Sequence, residues 1–222
     1  LGRINSEKLL EDPSIIWSRK KIHEYEEKQV QPEILVSNYY TNDGEIPTPH
    51  TLRNLILSRR SARNFKEEYI SKELLRACSE VINWAPSSCN KQPIQVYITN
   101  DPLQAIECAK NCKGVTGFSQ FIPCFMAICV DIRAYVYPSE IYLPSVDGAL
   151  GTQNMLLMLH AMGVSTTVLS WAQKDEDEEK RLREILSIPD YCEIIFNLVA
   201  GYPEDIPPTP ARKSVDSTIH FT

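Results

Sequence analysis

The sequence predicts one globular domain in which helices alternate with strands and are numerous enough to cover both faces of a sheet. Three observations predict it. A chain of 222 residues with 43% hydrophobic residues has the size of about one ordinary domain and buries roughly 70% of its unfolded surface on folding. Segments with a 3.6-residue apolar stripe alternate with short β-branched or wholly apolar runs. Caps, glycines and prolines separate the segments, and no internal repeat or low-complexity tract interrupts the order.

Residues 1 to about 30 mix Lys and Glu with Leu9, Leu10, Ile15, Ile16, Trp17, Ile22 and Tyr25, a pattern of helical segments broken near Pro13. Val30 to Pro49 carries Asn42-Asp43-Gly44 and reads as a linker. Residues 1–49 are therefore expected to form an arm and linker ahead of a main domain over 50–222. That domain starts with a short helix through Leu52, Leu55 and Ile56. Ser71 is a good N-cap for a second helix, Ile70 can staple Leu75, and the stripe continues through Cys78, Val81 and Ile82 toward Pro86. Gln95–Thr99 alternates as a strand, and Asp101-Pro102 opens a helix toward Cys112.

Phe121 to Val130 is almost wholly apolar, as a strand covered on both faces requires. Val146–Met162 is a long apolar helix closed by Gly163, followed by a strand-like Val164–Trp171. Acidic residues Asp175–Glu179 precede Lys180, Arg181 and Arg183, the charge order that a helix dipole favours. Glu193–Ala200 is a last buried strand. From Gly201, Pro203, Pro207, Pro208 and Pro210 hold the chain in an extended C-terminal arm.

Composition excludes several functions. No apolar run approaches the roughly 18 residues of a membrane span, and the N-terminus lacks the basic and apolar regions of a secretory signal. A soluble, unsecreted, cytoplasmic protein is expected. A net charge of -6 disfavours non-specific nucleic-acid binding, which depends on Lys and Arg. The sequence contains neither G-x-G-x-x-G nor a P-loop. Its 7 cysteines fit reduced, mostly buried thiols better than a disulfide framework. Cys108 and Cys112 share a helix face by spacing and read as packing. His23, His50, His160 and His220 are scattered, so no metal site is expected.

Four constellations remain. In Arg59-Arg60-Ser61-Ala62-Arg63, an extended backbone would project Arg59, Ser61 and Arg63 to one side, two guanidinium forks flanking a hydroxyl. That arrangement suits a phosphate, and a solvated basic helix end is the alternative. Pro86-Ser87-Ser88-Cys89-Asn90-Lys91-Gln92-Pro93 would make a rigid loop with donors and acceptors for a planar ligand, or an ordinary helix-to-strand turn. Asp147-Gly148-Ala149-Leu150-Gly151-Thr152-Gln153-Asn154 permits close backbone approach, to a ligand or to another element. Gly201-Tyr202-Pro203 is followed by Arg212-Lys213.

In order and spacing these four together resemble the FMN-dependent nitroreductase family, from about Leu52 to Thr222. The carriers are R-R-S-x-R-x-F at Arg59–Phe65, P-S-S-x-N-x-Q-P at Pro86–Pro93, D-G-x-x-x-x-Q-N at Asp147–Asn154, and G-Y-P with the later Arg212. The resemblance implies an α+β fold: a three-layer sandwich with a mixed, mainly antiparallel central sheet between helices, in an intertwined homodimer holding FMN in two interfacial clefts. It implies that Arg59, Arg60, Ser61 and Arg63 hold the phosphate, ribityl chain and pyrimidine edge, with Arg212 on the phosphate. Pro86, Ser87, Ser88 and Asn90 would approach the ring from the partner subunit. Leu169, Ser170 and Trp171 would lie along the isoalloxazine, and Gln92 and Gln153 complete the cofactor set.

The implied activity takes hydride from NADH or NADPH and reduces a small electrophile such as a nitroaromatic or quinone in a ping-pong cycle. The flavin N5 carries that chemistry and no side chain stands out as a proton donor. Arg63 is the candidate to stabilise the reduced flavin. A dehalogenase-like or flavin-fragmenting relative, and an FMN-storing or sensing protein without turnover, stay open as alternatives. Two departures from the family pattern stand out: Ile94 follows Q-P where an aromatic is common, and the Cys112–Phe121 segment is short. The N-terminal arm, through Trp17, Ile22 and Tyr25, is expected to pack across the partner.

Overall fold

A computed structural model describes residues 46–117, 121–172 and 175–222. The expected helical segments and partner contact of the N-terminal arm lie outside the described residues. Each helix starts where its capping chemistry dictates. Helix α1 (Pro49–Ser58) has Pro in its first turn, and the Thr48 hydroxyl accepts from Thr51 N at 3.2 Å. Helix α2 (Lys72–Glu80) is capped by Ser71, whose Oγ accepts from Leu74 N at 3.1 Å. The stripe expected to run as one helix toward Pro86 changes pitch instead: Val81–Trp84 tightens into a 3-10 turn. Ala85 then adopts the extended backbone that a following proline imposes.

Helix α3 (Pro102–Lys110) begins at Asp101, which accepts from Leu103 N at 2.9 Å. Helix α4 (Leu143–Ala161) starts three residues before the expected Val146, because Pro144 fits the first turn, where its missing N–H is unneeded. It ends as expected at Gly163, which has a φ of +79°. Helix α5 (Glu176–Leu186) opens with a reciprocal box between Asp175 and Glu178 and ends at left-handed Ser187.

The strands are β1 (Ile94–Thr99), β2 (Cys124–Asp131), β3 (Ser165–Leu169) and β4 (Cys192–Gly201), in the sheet order β1-β2-β4-β3. All three strand pairs are antiparallel. The parallel element of the expected mixed sheet is a single bridge from Ser61 to Thr166 on β3. Where Ile128 pairs with Phe196 and Cys129 with Ile194, Ile195 is the extra residue of a bulge.

Side-chain alternation along β2 separates two cores. Phe125, Ala127 and Cys129 face α3 and α5, while Cys124, Met126 and Ile128 face α2 and α4. The result is the expected three-layer α+β sandwich. Fully buried Phe125, Met126 and Ile128 each contribute about 1.5–3 kcal/mol through burial. Gly151 shows why α4 can lie so close to α2 and β1: a Cβ there would sit 2.3 Å from Ile94 Cδ1 and 3.0 Å from the Ile82 carbonyl oxygen. Packing therefore accounts for Gly151 in the third constellation. Six cysteines are buried and Cys89 is exposed, all as free thiols. Among the described residues, no helix is long and apolar enough to cross a membrane.

Candidate functional site

The Arg59–Arg63 run leaves the end of α1 in an extended conformation, with Arg59 at φ -57° and ψ 130°. It lies against the outer edge of β3, where Ser61 bridges Thr166 and the Thr167 hydroxyl donates to the Ala62 carbonyl at 2.6 Å. This fixes the extended form that the phosphate reading needs. Arg59, Arg60 and Ser61 are half-buried and Arg63 is exposed. Among the described residues no carboxylate is paired with Arg59, Arg60 or Arg63. Arg60 Nη1 donates to the Leu57 and Arg59 carbonyls and Nη2 to the Thr209 hydroxyl.

Those contacts also bring the C-terminal arm beside the run. Phe65 bridges Pro203, Lys66 N donates to the Tyr202 carbonyl at 2.9 Å, and Glu204 N donates to the Asn64 carbonyl at 3.0 Å. Gly201 is needed there, since a Cβ would sit 2.6 Å from the Phe65 ring. Arg212 follows three residues beyond Thr209. It is exposed, and its Nη1 donates to the Ala211 carbonyl at 3.0 Å.

A histidine that the motif reading passed over belongs to this group. His160, in the last turn of α4, places Nε2 2.8 Å from Ser58 Oγ. Burial first, then the Arg59 and Arg60 charges, hold its imidazole below the ordinary histidine range. The two guanidinium charges thus add to burial in disfavouring the imidazolium.

Farther along the same strand, Leu169 is buried with its side chain in the core. Ser170 is exposed, exchanges two 3.2 Å backbone hydrogen bonds with Lys113, and so ties the Lys113 turn to this edge. Lys113 pairs with Glu178 at the start of α5. From Thr166 to Trp171 the chain covers about 17 Å at strand rise. The edge thus offers a cationic end and a neutral end. Trp171 lines a groove of about 740 Å³ with Tyr135, Tyr137, Ile141, Ile194 and Phe196. Gln153 is exposed midway along α4.

The Pro86–Gln92 loop stands elsewhere. Ser88 N donates to both carboxylate oxygens of Asp147, at 3.0 and 3.1 Å, near the start of α4. Asp147 is thirteen residues from His160, about 20 Å along a helix. One chain therefore does not bring Ser87, Ser88, Asn90 and Gln92 together with Arg59 and Ser61. The loop is rigidly built: Cys89, Asn90 and Gln92 all have positive φ, at 50°, 55° and 49°. Such conformations persist only where surrounding contacts hold them. Here Ser87 Oγ accepts from Gln92 N at 3.1 Å, and Gln92 Nε2 donates to Asn90 Oδ1 at 3.2 Å.

Side chains outside the motifs brace this loop. Tyr135 Oη donates to Asp147 at 2.7 Å, and burial followed by that hydrogen bond raises the Tyr135 phenol well above its usual range. Lys91 Nζ lies 2.9 Å from Glu140 and 4.8 Å from the centre of the Tyr135 ring. Glu140 also accepts from Val136 N at 2.7 Å and Tyr137 N at 2.9 Å. Backbone donation from Tyr137 and then the Lys91 ammonium bring the Glu140 carboxyl down to about 2. Asp147 heads a motif, so its buried position was readable. Tyr135 and Glu140 belong to no motif, and nothing local marks them.

The nitroreductase family profile matches residues 56–113, a span that contains both the Arg59–Phe65 and Pro86–Pro93 runs. Over 155 residues the chain is 29% identical to an Archaeoglobus fulgidus protein named provisionally as an NADH dehydrogenase/NAD(P)H nitroreductase, covering 68% of this chain and 84% of that one. It is 23% identical over 165 residues to the Bacillus subtilis FMN reductase (NAD(P)H), covering 68% of this chain and 65% of that protein's length. The solved FMN-dependent nitroreductase of Clostridium difficile R20291 matches with a TM-score of 0.63 at 20% identity, over 76% of this chain and 98% of its own. That last likeness concerns the fold. Family profile, relatives and architecture agree with the motifs, and over residues 56–113 the chain matches the nitroreductase family.

Proposed function

We propose that this chain is the protomer of a homodimeric FMN-dependent oxidoreductase that uses NADH or NADPH to reduce a small electrophilic acceptor, such as a nitroaromatic or a quinone, in a ping-pong cycle. The observation that carries the reading is the extended Arg59–Arg63 run on the edge of β3, cationic and without a carboxylate partner among the described residues. Half-buried guanidinium groups lacking a counter-charge are a donor set suited to a phosphomonoester. The names of the relatives, FMN reductase and NAD(P)H nitroreductase among them, support the same chemistry.

On this reading Arg59, Arg60, Ser61 and Arg212 bind the phosphate and ribityl end. Arg63 sets a positive charge beside the pyrimidine edge, where reduction adds negative charge. Ser170 and the Leu169 backbone line the ring, since the Leu169 side chain is committed to the core. Bound flavin supplies a two-electron carrier that accepts hydride from the nicotinamide and passes it to the acceptor. The chain itself binds, orients and excludes water, and no side chain is assigned as the proton donor.

The second half of the site, Pro86, Ser87, Ser88, Asn90 and Gln92, is separated from the first within one chain, which supports its delivery by a second copy. Apolar side chains left exposed on α1 and α4, among them Leu52, Ile56, Val146 and Leu150, have the character of a surface that a partner covers. A cytoplasmic location accords with the reduced thiols.

The test is an absorbance spectrum of the purified protein followed by anaerobic titration with NADH and NADPH. Flavin bands that bleach and return on adding a quinone are expected. Bands that persist through both titrations would point to storage or sensing instead. Colourless protein that stays so after incubation with FMN would end the reading.

A further inference from the structure

We propose that His160 is a proton-linked member of the anion site at Ser58, Arg59 and Arg60, and that it takes up a proton from solvent when a phosphomonoester binds there. The proposal rests on the FMN reading and deepens it. The geometry is a hydrogen bond between the ends of two helices: His160 Nε2 lies 2.8 Å from Ser58 Oγ, and Ser58 directly precedes Arg59 and Arg60. Ser58 Oγ also donates to the Leu55 carbonyl at 3.1 Å, which leaves it to accept from His160 Nε2–H.

Among the described residues, charged and polar groups face the imidazole from two sides. Ser58, Arg59 and Arg60 approach from α1 and the chain that follows it. From its own helix come the last carbonyls of α4, which favour a cation. Partial burial first, and then the two guanidinium charges, oppose one, and the imidazole is held below its ordinary range as a result. A phosphate dianion seated on Arg59 and Arg60 offsets their charge, so that the anion and the helix end together favour the imidazolium against burial alone.

Protonation leaves this hydrogen bond in place. The Ser58 hydroxyl donates to the Leu55 carbonyl, so it accepts from His160 Nε2–H in the neutral ring and in the imidazolium alike. One proton from solvent therefore adds a positive charge beside the anion without moving a side chain. A merely structural helix-to-helix hydrogen bond would not titrate with the anion.

By linkage, whatever raises the proton affinity of His160 is returned as anion affinity. A displacement of the imidazole midpoint by about one pH unit corresponds to a tenfold change in binding. The sign follows: binding tightens as pH falls through the window between the midpoint of the bound protein and the lower midpoint of the free one.

The experiment uses the full chain freed of flavin. Dissociation constants for FMN and for riboflavin, which lacks the phosphate, are measured between about pH 8.5 and 6.5, where the phosphate remains largely dianionic. His160 is followed by NMR with and without each ligand. FMN is expected to bind about two- to fivefold more tightly at the lower pH, the part of the tenfold that falls above the free midpoint, and to raise the His160 midpoint, while riboflavin does neither. His160→Gln, which keeps a hydrogen-bonding side chain but does not titrate, is expected to flatten the FMN profile.

FMN that binds with a pH-flat profile and an unmoved His160 midpoint would overturn this proposal alone. An FMN profile matched by riboflavin would also overturn it, with no variant needed. Failure of FMN to bind at any pH would remove the flavin reading and the proposal together.

Discussion

Replacing Asp147 by Ala tests whether the Pro86–Gln92 loop owes its conformation to one buried carboxylate. Asp147 is 2% exposed and receives the Ser88 N–H on both oxygens, at 3.0 and 3.1 Å, and the Tyr135 hydroxyl at 2.7 Å. Truncation leaves two donors without a partner, and an unmet buried donor costs about 1–3 kcal/mol. Relief from burying a charge offsets part of that sum. The expected net loss is about 3 kcal/mol. Tyr135→Phe removes one of the three hydrogen bonds and should cost about 1 kcal/mol. Because both substitutions act on the same carboxylate, their effects should not add. The assay is urea unfolding followed by circular dichroism, at matched protein and FMN concentrations because ligand shifts apparent stability. An Asp147→Ala chain within about 0.5 kcal/mol of the parent, or strict additivity with Tyr135→Phe, would refute the brace.

Three further outcomes are expected. Gly151→Ala should destabilise the protein by about 1–2 kcal/mol despite alanine's helix preference, since its Cβ meets the Ile82 backbone oxygen at 3.0 Å. Gly148→Ala, whose nearest neighbour is the Val130 side chain at 3.3 Å, should be nearly neutral in the same unfolding measurement. At most one thiol per chain, Cys89, should react with a disulfide reagent before unfolding, because the other six are buried. Burial pushes Cys108, Cys112, Cys124 and Cys129 up to about 12, and only the thiolate reacts. Glu140 has its carboxyl lowered from 4.5 to about 2, so its contribution is full above the unfolded value and is lost as pH falls toward about 2. Glu140→Gln should therefore flatten stability against pH in that window, and a Glu140 carboxyl that titrates by NMR near its ordinary value would contradict the assignment.

The elements were legible because each is marked locally. Ser71, Asp101 and Asp175 all cap helices as their side chains foretell, and the unbroken apolar run of β2 proves covered on both faces. Boundaries were less legible where a proline has two uses. Pro144 opens α4 earlier than expected, and Pro86 ends the regular helix well before itself. For the proposed site, motif order and spacing singled out the Arg59–Arg63 and Pro86–Gln92 runs, whose extended and positive-φ backbones depend on neighbours in sequence. It did not identify His160, Tyr135 or Glu140. These act through contacts with residues 102, 12 and 49 positions away, and a separation that a fold creates leaves no period or motif. Nor did spacing show that Leu169 faces the core and so offers a ligand only its backbone.

Helix α4 relates the two halves of the proposed site. It carries the brace of the loop near its start, at Asp147, and a member of the cationic group near its end, at His160. Both ends are fixed to one rigid rod, so neither half can move toward the other within a chain. A two-fold axis that paired two α4 helices antiparallel about the midpoint between Asp147 and His160, near exposed Gln153, would bring the loop end of one copy beside the cationic end of the other. The same operation would do so twice, because a closed two-fold contact uses the same surface on both copies. On this geometry the spacing between the half-sites is a consequence of helix length. Lengthening α4 by a turn would displace the loop from the cradle by about 5 Å, more than a hydrogen bond tolerates. On the proposed dimer the strained loop would have a physical rationale: its positive-φ residues and buried carboxylate anchor would hold polar groups in place for a ligand bound mainly by the other copy.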